Sequence, residues 1–102
     1  MITIKIYKDR DNIASVELLS NGAAQDITNL TRATITLGDL LVDSSIHTGV
    51  FDWTTSGAAG QLDIAAGHVS TLEKGAFTSV LTVFDATYPN GLVWGEMVTL
   101  VE

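Results

Sequence analysis

The chain has 102 residues, the size of one domain that can bury a core without covalent staples. It contains no cysteine, which excludes disulfides and thiolate metal centres. Its net charge is −7, and residues 11–102 set only Arg32 and Lys74 against every acid except Asp9, so a phosphate backbone is repelled and nucleic-acid binding is disfavoured.

Charged residues make up only 17% of the chain and mean hydropathy is positive, which argues against disorder. That balance predicts either a generous core or a surface covered in an assembly. No apolar run approaches the roughly 18–20 residues of a membrane span. The opening MITIKIYKDR lacks an apolar h-region and a small-residue cleavage site, so no signal peptide is expected.

Ile2, Ile4 and Ile6 alternate with Thr3, Lys5 and Tyr7, a period of two that predicts a half-buried strand. Asp9-Arg10-Asp11-Asn12 is a polar turn; it looks like a fragment of a calcium loop but lacks the required glycine and distal glutamate. Ala14, Val16 and Leu18 form a second strand, antiparallel to the first if that turn closes a hairpin. Ser20-Asn21-Gly22 ends it with strong turn chemistry. Asp26 and Thr28 satisfy local backbone groups on the approach to a third strand, Ala33 to Gly38. Asn29-Leu30-Thr31 is formally a glycosylation sequon, without weight in the absence of a signal peptide.

Leu40-Leu41-Val42 is a short apolar run turned by Asp43-Ser44-Ser45, followed by predicted strands at 49–54 and 61–64. One short helical turn is expected within residues 65–74. Phe77, Leu81 and Val83 mark one face of a long strand, with Thr78, Val80, Thr82 and Phe84 on the other. Tyr88-Pro89-Asn90-Gly91 is the strongest turn in the chain and leads into a last strand, Leu92 to Glu102. In that strand Trp94, Val98 and Leu100 fall on one face by simple alternation and Val93, Met97 and Val101 on the other, with Gly95 as a candidate bulge. No segment sustains a 3.6-residue period, and turn signals recur every 8–12 residues or so. The expected fold is a single all-β domain spanning 1–102, an antiparallel sandwich of about seven strands.

Chemistry-bearing patterns are sparse. There is no glycine-rich phosphate loop and no nucleophile elbow. His47 and His68 lie far apart without partners at metal spacing. Asp52 and Asp63 are an acid pair of the kind glycosidases use, but in a strand-rich chain scattered acids mark a solvated face. No catalytic group, metal or cofactor is therefore expected. Trp53, Tyr88 and Trp94 suit a protein or sugar contact, the alternative being that both tryptophans are core.

The order of motifs resembles the small immunoglobulin-like domains of tailed-bacteriophage virion proteins, in particular the N-terminal domain of the phage baseplate upper protein family. The resemblance rests on Asp26-Ile27-Thr28-Asn29-Leu30-Thr31 with Ala33-Thr34-Ile35-Thr36-Leu37, on Gly60-Gln61-Leu62-Asp63-Ile64, on the corner Leu72-Glu73-Lys74-Gly75-Ala76-Phe77, and on Asn90-Gly91 to Val101. Phe77 stands where a hydroxyl-bearing aromatic is common, so the hydrogen bond of a tyrosine corner cannot form. The resemblance implies an immunoglobulin-like sandwich and a non-enzymatic structural or assembly role in the virion, or in the host cytoplasm during assembly. Its partners would be other phage structural proteins or further copies of itself, with no nucleic acid and no membrane. The expected contact residues are Trp53, Tyr88, Val93, Trp94, Met97 and Val101, with one face of the last strand docking a neighbour. Two alternatives stand beside it: a carbohydrate- or cell-surface-binding module, and an acidic mimic that binds a basic partner.

Overall fold

The computed structural model describes residues 2–102 and is an all-β sandwich. Among the described residues ten strands occur in chain order. They are β1 (Ile2–Ile6), β2 (Ala14–Glu17), β3 (Leu19–Ser20), β4 (Ala23–Ala24), β5 (Arg32–Leu37), β6 (Leu40–Asp43), β7 (Phe51–Asp52), β8 (Gln61–Ile64), β9 (Gly75–Phe84) and β10 (Leu92–Val101). One sheet has the order β1-β10-β9-β5-β6, and the other has the order β2-β8-β7. The pair β3–β4 is a small hairpin on Asn21 and Gly22, both at positive φ, as a two-residue turn between twisted strands requires.

This order is the variable-type immunoglobulin arrangement. The strands β2, β8 and β7 take the places of B, E and D, and β10, β9, β5 and β6 those of G, F, C and C′. The first strand runs parallel to the last, Ile2 opposite Met97 through Ile6 opposite Val101. All other pairs are antiparallel.

The hairpin of β1 with β2 does not form. Tyr7 to Ile13 instead carries the chain from one sheet to the other, held by Asp9 N–H on the Gly67 carbonyl (2.8 Å), while Lys8 N–H and Glu102 N–H extend the β1–β10 ladder. The physical reason is burial. Pairing β1 with β10 puts Ile4 and Ile6 on the larger sheet, in one buried cluster with Val16 and Leu62 of the smaller, whereas a local hairpin would leave both strands in one layer. Residues 65–74 hold no helical turn. Two successive turns, Val69 N–H to the Ala66 carbonyl and Leu72 N–H to the Val69 carbonyl, bury Ala66, Val69 and Leu72 at the corner. The 3-10 turn lies upstream at Gly57–Ala59, closed by Gly60 at φ +80°.

The core is one cluster between the sheets. Ile35, Leu81, Val83, Met97 and Val101 from the larger sheet meet Val16, Leu62 and Ile64 from the smaller, and Ile27, Val50 and Leu72 close the ends. Within it Ser79 and Thr99, both fully buried, satisfy each other: Ser79 Oγ donates to Thr99 Oγ1 at 2.8 Å.

Candidate functional site

The long hairpin β9–β10 sits in the middle of the larger sheet, so its two faces have different fates. Its inward rows are Met97 with Ser79, Thr99 with Phe77, and Leu81 between Gly95 and Ile35. Its outward rows are Thr3–Val98–Thr78, Lys5–Leu100–Ala76, Val80–Glu96 and Asp43–Thr34–Thr82–Val93.

A bulge regroups the last strand. The register shifts between Val93 and Gly95, leaving Trp94 as the extra residue and reversing every side chain before it. Val93 is therefore 69% exposed, while Met97 and Val101 are core at 4% and 3%. This corrects the set obtained by alternation: Met97 and Val101 cannot line a contact with another molecule. Trp94 leaves the company of Val98 and Leu100 and packs, half-buried, against the core. Trp53 is likewise half-buried against the core.

What remains outward is apolar and largely uncharged. Val80, Val98 and Leu100 are half-buried among Ala76, Thr78 and Thr82, with Val93 at one end and Leu41, 46% exposed, on the edge strand β6. The charges on this face are Glu96, Lys5, which lies 4.0 Å from Glu102 at the rim, and a paired site on β5 and β6. At that site Arg32 grips Asp43 with two N–H donors, Nε to Oδ1 at 2.9 Å and Nη2 to Oδ2, and its guanidinium lies 4.6 Å from the Phe84 ring centroid.

Asp43 is almost fully buried and accepts two further bonds, from Ser45 N–H and Oγ. The Arg32 hydrogen bonds hold its carboxyl well below the usual carboxylate range, against the effect of burial. Its own N–H donates to His47 Nδ1 at 3.1 Å, which assigns the second histidine nitrogen as the N–H. His47 thus closes off the end of the edge strand. The sequence hinted at a turn at Asp43-Ser44-Ser45 but not at this network, because Arg32 and Asp43 are brought together only by strand pairing.

Tyr88 lies at the tip of the hairpin. The turn Tyr88 to Gly91 is closed by Gly91 N–H on the Tyr88 carbonyl, with Gly91 at φ +88° and no room for a side chain beside Phe84. Tyr88, Trp94 and Leu92 line a groove of about 180 Å³ together with Asp26, Leu30 and Asp85. It is formed by the β4–β5 and β9–β10 loops, which share one end of the sandwich. A wider cleft of about 440 Å³ lies at the opposite end, between the β5–β6 turn and the corner, walled by Leu37, Phe77, Asp39 and Glu73.

Asp52 and Asp63 do become neighbours, directly paired between β7 and β8. Each is occupied as a structural acceptor. Asp52 takes the N–H and hydroxyl of both Thr54 and Thr55, which lowers its pKa, and Asp63 takes Ser15 Oγ at 2.7 Å and Gln61 Nε2 at 3.0 Å. Among the described residues no group of three His, Asp or Glu side chains is placed to hold a metal ion. Compared with known proteins, the chain matches no family model and no curated protein.

Proposed function

We propose that this protein is a non-enzymatic structural or assembly protein of a tailed-phage particle or prophage, acting through protein–protein contacts, with a further copy of itself among its partners. The observation that supports it is the outward face of β9 and β10, where Val80, Val98 and Leu100 form the centre of a sheet face with few unpaired charges on a chain of net charge −7. Like-charged copies repel one another over most of such a surface. A face of valine, leucine and threonine escapes that repulsion and gains from leaving water. The virion context comes from the motif resemblance, which the strand order supports at the level of fold; fold by itself does not fix function.

Two measurements test the reading. Light scattering across a concentration series should give a dimer or higher oligomer that V98K/L100K converts to a folded monomer. A strict monomer at all concentrations, unaffected by the substitutions, sinks self-association. Mass spectrometry of purified particles induced from the host tests the virion role, which fails if no peptide of this chain is present.

A further inference from the structure

Besides the Arg32–Asp43 pair, the outward face of the larger sheet carries Glu96 and Lys5, and the strand register fixes where they stand. Glu96 is exposed, in the row Glu96–Val80. Lys5 points outward because Ile4 and Ile6 on either side of it are buried, and its row is Lys5–Leu100–Ala76. The row Thr3–Val98–Thr78 lies between the two. From Glu96 to Leu100 is about 13 Å along β10, and β1 lies about 4.8 Å to the side, so Lys5 and Glu96 stand too far apart to pair within one copy. Among the described residues Glu96 has no ion-pair partner, and Lys5 has only Glu102, at 4.0 Å with both side chains half exposed.

Two copies that stack this face on itself share a two-fold axis lying between the sheets. Sheets packed with strands aligned to within about 30° admit two directions for that axis, along the strands or across them. An axis along the strands keeps each residue in its own row. Glu96 then meets the row of Glu96, Val80, Thr36 and Leu41, which holds no cation among the described residues. Covering a carboxylate without a counter-charge is unfavourable. An axis across the strands at Val98 reverses the order of the rows. Val98 then meets Val98, and Glu96 meets Leu100, whose neighbour on β1 is Lys5. Stacked sheets lie about 10 Å apart, a gap that the long lysine and glutamate side chains bridge from opposite sides. The two-fold axis forms the pair twice, which sets a local attraction against the repulsion of two acidic chains.

We infer that the second copy docks on this face with its strands reversed, Val98 against Val98, so that Lys5 of each copy pairs with Glu96 of the other. This arrangement rests on the self-association proposed above and adds its orientation and the charges that select it.

Charge reversal tests it, with the dimer constant measured by light scattering across a concentration series. K5E and E96K should each weaken the dimer about tenfold, because each sets like charges together at two places. E96K also moves the net charge of −7 toward zero, which by itself favours association, so its weakening reports the pair rather than the overall charge. K5E/E96K reverses both charges and should recover most of the parent's affinity. An equimolar mixture of K5E and E96K should form heterodimers in preference to either homodimer, read by native mass spectrometry. Both side chains are exposed, so urea midpoints should stay near the parent's. A dimer broken by V98K/L100K but indifferent to K5E and E96K would overturn the arrangement and leave self-association standing. So would a strengthened E96K dimer, a double variant no tighter than K5E, or random pairing in the mixture. A parent chain that is monomeric at every concentration would overturn both.

Discussion

Arg32 and Asp43 meet on the outer face of the larger sheet as a two-pronged ion pair, with the carboxylate buried and the guanidinium partly open to water. The pair ties the edge strand β6 to β5, and through Ser45 and His47 it anchors the loop that follows.

The pair makes stability depend on acid. The folded pKa of Asp43 is depressed below its unfolded value of about 3.9, so its contribution is fully present above that value and is lost as pH falls toward the folded pKa. Urea midpoints should therefore hold between pH 7 and 5 and drop below about pH 4. Asp26, exposed, and Asp52, half-buried, are also depressed by threonine donors and act in the same direction. In D43N the midpoint should be lower at pH 7 and flatter below pH 4; an acid limb as steep as the parent's would show that Asp43 does not set it.

Ser79 and Thr99 supply a second test, in the core. Ser79→Ala leaves the Thr99 hydroxyl without its partner in a fully buried site, at a cost of about 1–3 kcal/mol. Replacing both, as S79A/T99V, removes the unmet polar group and should recover most of that loss. A double-mutant cycle by urea unfolding measures the coupling, and strictly additive losses would show that the two hydroxyls do not depend on each other.

The bulge at Trp94 separates two residues that alternation places together. Met97→Ala should cost about 2–5 kcal/mol as a core truncation. Val93→Ala should stay within about 0.5 kcal/mol, because the side chain stands in water. Comparable losses at both positions would show that the register does not shift.

Gly67 and Gly95 contrast two kinds of glycine. A methyl group at Gly67 would run into the carbonyl oxygens of Arg10 and Tyr7, whose loop crosses between the sheets, so Gly67→Ala should destabilise by about 1–3 kcal/mol or more. At Gly95 a methyl meets open space, and Gly95→Ala should leave the urea midpoint nearly unchanged. A neutral Gly67→Ala would show that the crossing loop yields.

Local chemistry determined much of this protein. Alternation at Ile2 to Ile6, the turns at Asn21-Gly22 and Asn90-Gly91, and the missing 3.6-residue period dictate strands and hairpins, because a half-buried strand and a tight turn each impose their residue types directly. Tyr88 and Trp94 stand out in the sequence for the same reason, as large rings with a polar edge, and both line the groove at the hairpin tip. Partnership across the fold was not legible. That β1 joins β10 rather than β2, that Asp43 meets Arg32, and that Asp26, Asp85 and Trp94 line one groove depend on which segments meet when the two layers close over one core. The bulge shows the limit most plainly. One extra residue reverses the facing of Val93, and only the pairing with β9 decides where that residue is absorbed.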